Sequence, residues 1–199
     1  MDPRISELVA RIRRIEEEIE QELKRRREEL HADFENRRIR FEGEVLEQQR
    51  RFKMGLLNYI LGAELRHVAT VPFIFAVFFP LLVLDLSVTV YQLLCFPLYR
   101  IQQVRRRDYL VFDRAHLAYL NLVEKFNCAY CSYANGLAAY VKEVAARTEQ
   151  YWCPIKHARR LLQAHPYYGG FADYGDAEGY QSQLQTLRAE LGRIDAPDK

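Results

Sequence analysis

The sequence predicts an all-α chain associated with a membrane, and three observations carry that prediction. Val68 to Leu98 is apolar over 31 positions and holds a single charge, Asp85. The first 57 residues are poor in glycine and proline and repeat their apolar positions every eleven residues. The last hundred residues combine helical apolar spacing with two Cys/His pairs. Water does not comfortably solvate so long a contiguous apolar run, so that run is read as lipid-embedded. The resulting plan is a charged helical oligomerisation arm (1–57), an amphipathic approach and membrane hairpin (58–104) and a helical metal-binding module (105–199).

Charge narrows the partners. A formal net charge of +2 over 199 residues argues against a dedicated nucleic-acid binder. The basic residues instead cluster at both borders of the apolar run: Arg50, Arg51, Lys53 and Arg66 before it, Arg100 and Arg105 to Arg107 after it. Anionic lipid headgroups are the partner that such clusters fit. The N-terminus is densely charged rather than apolar, so no cleavable leader is expected. Four cysteines without a secretory signal fit a reducing compartment, where metal ligation is favoured over disulfides.

In the arm, Leu8, Ile19, Leu30, Phe41 and Phe52 form one column, and Ile12, Leu23, Phe34, Val45 and Leu56 a second. A period of eleven is about 3.67 residues per turn, so both columns stay on one face of a nearly straight helix. That stripe predicts a homo-oligomer formed through residues 8–56, with a protein partner for the arm as the alternative. Eleven-residue repeats also suit helices lying on membranes, but Glu16, Glu17, Glu18 and Glu20 oppose contact with an anionic surface. Leu56 to Leu65 reads as an amphipathic approach, with bends permitted at Gly55 and Gly62.

A straight helix over the apolar run would measure roughly 46 Å, more than a hydrocarbon core of about 30 Å. Pro80 lies near its middle, and Pro72 and Pro97 mark its ends. A mid-helix proline removes a hydrogen bond and kinks the chain. The expectation is therefore a re-entrant helical hairpin broken near Pro80, with both termini on the cytoplasmic side; a single tilted span and a buried soluble hairpin are the alternatives. Asp85 must then be neutral, paired or near the headgroups, because an unpaired carboxylate at mid-bilayer is costly.

In the module, Asp113 is the expected N-cap of a helix carrying Leu117, Leu120, Val123 and Phe126. Cys128 and Cys131 form a C-x2-C pair, and Cys153 and His157 a C-x3-H pair. A C-x2-C turn would aim two thiolates at one ion. Pro154 suits a first helical position, making Cys153 an N-cap and placing His157 a turn further on. Cys128, Cys131, Cys153 and His157 together would make a Cys3His zinc centre. An iron–sulfur cluster with His157 as the odd ligand, unligated buried cysteines, and a redox dithiol at Cys128/Cys131 are the competing readings. Arg159 to Leu161 should extend a helix as far as Pro166, and His165 is a spare ligand. Asp176 should cap a last helix carrying Tyr180, Leu184, Leu187 and Leu191 on one face, and the final residues DAPDK should fray.

The stretches YILGAELRH, LDLSVTVYQLLCFPLY, FNCAYCSYANG, EQYWCPIKHARR and DYGDAE, spread over Asn58 to Leu191, resemble a group of small, uncharacterised bacterial membrane proteins. The resemblance implies a bacterial origin and membrane association, and no activity. No nucleophile elbow, phosphate loop or paired-carboxylate constellation is present, so an enzyme is not expected. The expected function is an oligomeric membrane-anchored scaffold on the cytoplasmic face, shaping membrane or clustering partners. The alternatives are a membrane-bound metal-handling or redox accessory working through its zinc or iron–sulfur site, and a small subunit of a larger membrane complex.

Overall fold

The computed structural model describes residues 7, 11, 14–15, 17–19, 21–26, 32–35, 38–41, 43–62 and 64–193. The chain forms two compact units. One comprises residues 1–64 and 112–129, the other residues 65–111 and 130–199.

In the first unit, every described residue between 7 and 26 is helical. Strands β1 (Ala32–Glu35) and β2 (Arg38–Phe41) follow as an antiparallel pair, with Phe34 opposite Ile39 and Ala32 opposite Phe41. The continuous arm helix expected from the eleven-residue columns is therefore interrupted. Arg38-Ile39-Arg40-Phe41 alternates with period two, the strand pattern, and this local signal overrides the longer repeat. Of the two columns, Leu8, Ile12 and Leu30 lie outside the described residues, as do Glu16, Glu20 and the tail DAPDK. Helices α1 (Gly43–Arg51) and α2 (Leu56–Leu61) follow, and α2 stops where the Gly62 N–H closes onto the Asn58 carbonyl. Gln49 Oε1 accepts from the Ala118 N–H at 3.2 Å.

The second unit is built on two long helices. The apolar run is helical from Leu65 to Leu98, as α3 (Leu65–Ala76) and α4 (Phe78–Leu98). The interruption falls at Val77, which keeps helical dihedrals (φ −65°, ψ −20°), so the chain carries on without turning back. In place of the hairpin expected at Pro80, the helix continues through a one-residue interruption at Val77. Pro80 is the third residue of α4, a first-turn position where a missing N–H costs little. At about 1.5 Å per residue these 34 residues measure roughly 51 Å.

Helix α5 (Leu122–Trp152) runs parallel to α4, with Tyr133 beside Phe78 and Asp85, Tyr140 beside Gln92, and Tyr151 beside Tyr99. Two parallel neighbours need a return strap, and residues 99–111 supply it, placing Val104 against Gln92 and Arg106 against Asp85. Gly136 makes the crossing possible: a Cβ there would lie 2.5 Å from the Tyr109 carbonyl oxygen. The core comprises Phe96, Ile101, Val104, Tyr133, Leu137, Tyr140, Val144 and Leu191.

Helix α6 (Ala177–Glu190) begins as expected, with the Asp176 carboxylate accepting from the Gly179 N–H at 2.8 Å. Leu187 and Leu191 are buried and Tyr180 and Leu184 partly so. Two other expectations are corrected. Asp113 opens only a short 3-10 turn (Asp113–His116). The α5 cap is Asn121, whose Oδ1 accepts from Glu124 N–H at 3.0 Å while Glu124 Oε2 accepts from Asn121 N–H at 2.8 Å. This reciprocal pair satisfies two otherwise orphaned donors. No helix starts at Pro154 or continues through Arg159 to Leu161. Pro154 is buried in a loop held by Lys156 N–H to the Ala172 carbonyl (2.8 Å) and Ala172 N–H to the Pro154 carbonyl (3.0 Å).

Candidate functional site

Along α4, the polar residues Asp85, Thr89 and Gln92 are followed by Phe96 at intervals of four, three and four. That spacing puts all four on one helical face, the face that meets α5 and the strap. Asp85 is 8% exposed and fully partnered. Arg106 donates to it through Nε (3.0 Å) and a terminal nitrogen (2.5 Å), and Tyr133 donates through its hydroxyl at 2.9 Å. The bidentate fork holds the guanidinium in one orientation. Of the three states open to Asp85, the structure selects pairing.

Two turns on, Gln92 is 5% exposed. Its Oε1 accepts from the Val104 N–H (3.0 Å), and its Nε2 donates to the Val104 carbonyl (3.1 Å) and to Tyr140 Oη (2.7 Å). A glutamine amide here replaces the backbone partners that Val104 lacks, since it lies in the strap outside any helix or strand. Further along, Tyr91 Oη lies 3.1 Å from Thr148 Oγ1. The arrangement is a polar seam: it fastens strap, α4 and α5 together and carries no free nucleophile or base.

A second network lies further along α5. Arg147 donates to Glu143 (2.8 Å) and to the Gln102 carbonyl (2.7 Å), and Glu143 also accepts from the Tyr167 hydroxyl. Burial first, and that bond to Glu143 second, push the Tyr167 phenol up to about 12. Burial likewise raises Tyr109, with Glu143 adding to it. His165 Nε2 meets Glu149 at 3.0 Å inside a wall of Tyr167, Tyr168 and Phe171.

The predicted metal ligands are not brought together. Cys128 and Cys131 sit one turn apart within α5, on continuous helix rather than a turn. Cys153 follows the end of that helix, so Cys131 and Cys153 are separated by about 33 Å of helix axis at about 1.5 Å per residue. Zinc holds its ligands at about 2.0–2.3 Å from one ion. His157 lies further into the loop, its N–H on Tyr168 Oη at 2.6 Å and its ring stacked on that of Tyr168. Among the described residues no group of three or more His, Cys, Asp or Glu is placed to hold a metal. Cys95 is half-buried on α4, and all four cysteines are free thiols.

Sequence reasoning passed over Thr89 and Gln92, assigned Arg106 to lipid headgroups and did not place Tyr133 and Tyr140 against α4. The signal for the first two was present: polar residues at four-three spacing in an otherwise apolar helix mark the side that faces protein. No family model, no curated protein and no solved structure matches this chain.

Proposed function

We propose that the chain is a monotopic membrane scaffold on the cytoplasmic face, entering one leaflet through the free side of α3 and α4. One observation carries this reading. Opposite the seam, the helix presents a broad apolar surface to its surroundings, with Phe79 72%, Leu86 67% and Leu98 78% exposed. Soluble proteins rarely leave so large a contiguous apolar patch uncovered. By length and composition, Leu65–Leu98 is also the one stretch among the described residues suited to crossing a membrane. The reading favours lying in one leaflet over crossing. Helix α5, with Lys142, Glu143 and Arg147, accompanies α4 along its length, and a crossing would draw those charges into hydrocarbon. Both termini then share one compartment without a hairpin.

Self-association through the arm completes the scaffold. Ile15, Ile19 and Leu23 form an exposed apolar stripe at four-residue spacing, bordered by Glu22 paired with Arg25 and Arg26. A stripe flanked by both charge signs is complementary to a second copy of itself.

Flotation of the full chain with phosphatidylcholine vesicles tests the membrane reading. Wild type should float, and Leu86→Glu/Leu93→Glu should stay at the bottom with unchanged helix content. A wild-type chain that is monodisperse and lipid-free without detergent overturns it. For the arm, Ile19→Glu/Leu23→Glu should reduce particle size in mild detergent while leaving flotation intact.

A further inference from the structure

The end of α4 carries an unusual residue in an otherwise ordinary stop. The Ile101 N–H bonds to the Phe96 carbonyl at 2.8 Å and the Arg100 N–H to the Pro97 carbonyl at 3.2 Å. This is the paired closure in which the residue just past the helix takes left-handed dihedrals, normally a glycine. Here that residue is Arg100, at φ 57°, the one non-glycine with positive φ among the described residues. Glycine would sit there without steric cost. A non-glycine residue whose backbone is held in that sparsely populated region points to a use for its side chain.

Arg100 opens onto a cleft of about 610 Å³ lined chiefly by Tyr99, Tyr151, Gln185, Arg188 and Arg193, and none of its lining residues is acidic. Arg188 is fixed by two contacts: its Nε donates to the Tyr151 carbonyl at 2.8 Å, and its guanidinium lies 4.7 Å from the centre of the Tyr151 ring. Its terminal nitrogens make no hydrogen bond to a described residue, and neither do the side chains of Arg100 and Arg193. Three guanidinium groups around one open cleft favour a multivalent oxyanion, and the planar fork matches phosphate oxygens.

The setting indicates where the phosphate comes from. The cleft starts at the residue after exposed Leu98, the last of α4. Beside it Tyr99, Tyr151 and Trp152 pack together with ring centres 4.9–5.3 Å apart. Tyrosine and tryptophan gather at the level of headgroups. We propose that this cleft binds a phosphate group, supplied by the headgroup of an anionic phospholipid. The lipid source, though not the phosphate chemistry, rests on the membrane reading above.

The test uses the full chain in non-ionic detergent, titrated with short-chain phosphatidylglycerol, short-chain phosphatidylcholine or inorganic phosphate, and followed through Trp152, the only tryptophan. Wild type should bind phosphatidylglycerol about tenfold more tightly than phosphatidylcholine. Arg188→Gln should abolish that preference. Arg100→Gly should weaken it several-fold while leaving the fold as stable as wild type or more so, which separates lost binding from lost structure. Equal affinity for the two lipids, or a preference unchanged in both variants, overturns the proposal. Inorganic phosphate binding as tightly as phosphatidylglycerol overturns the lipid source and retains the phosphate site. Because the short-chain lipids are soluble, the cleft is read out even if the wild-type chain fails to float with vesicles, a result that would count against the membrane reading alone.

Discussion

Helices α3 and α4 belong to one apolar run, yet they live in different surroundings. No residue of α3 is buried, whereas α4 buries Asp85, Gln92 and Phe96 beneath the strap and α5. Hydropathy averages over both and does not separate them. What separates them is the placement of a few polar side chains: those of α3, Arg66, His67 and Thr70, gather in its first turns and stay exposed, whereas α4 carries a buried column at the spacing of a single face. Within an apolar helix, polar residues in register mark the face buried under other elements; α3 meets α5 at its end, where the Tyr130 hydroxyl donates to the Ile74 carbonyl at 2.8 Å and the Tyr130 ring packs against Phe75.

The sharpest way to break this contrast is Gln92→Ala. It strands the Val104 N–H and carbonyl and the Tyr140 hydroxyl, and should cost about 2–4 kcal/mol. Chemical denaturation in detergent, read through Trp152, measures it; a loss under about 1 kcal/mol would mean that water replaces the amide. Gly136→Ala should come next, at about 1–3 kcal/mol, because the added methyl meets backbone of the strap rather than a yielding side chain. The mirror experiment on α3 is Phe73→Ser, at an exposed position. Stability should stay within about 0.5 kcal/mol of wild type while vesicle flotation weakens, and a large stability loss there would erase the distinction.

The smallest effect concerns pH. The folded Tyr167 holds its proton more tightly than the unfolded phenol, whose value is about 10. The sign follows: this contribution is complete below about pH 10 and is lost as pH rises through about 12. Stability measured at about pH 9 and about pH 11 should fall less in Tyr167→Phe than in wild type.

Legibility in the sequence followed the range of the interactions. The Asp176 cap and the buried face of α6 were readable because both depend on residues within three or four positions. The apolar run was readable because composition alone marks it. The Asn121–Glu124 cap was equally local, an N-x-x-E spacing, but the earlier Asp113 offered a competing start. For the Cys/His set, local spacing does not fix the backbone, for a physical reason. A C-x2-C spacing fits one turn of continuous helix as well as it fits a metal-binding turn, and only the long range settles which. Likewise, Pro154 serves a buried loop as readily as a helix start. In the arm, two periods overlap near residue 40, and the shorter one governs the backbone.

The seam joins partners far apart in the chain: Asp85 to Tyr133 and Gln92 to Tyr140, each 48 residues apart. At about 5–20 residues per second, a ribosome needs roughly 2–10 s to make that interval. For those seconds the nascent apolar helix is out and uncovered, its carboxylate and amide still waiting for tyrosines not yet synthesised. Until those tyrosines emerge, the face of α4 that will be buried has no cover from α5.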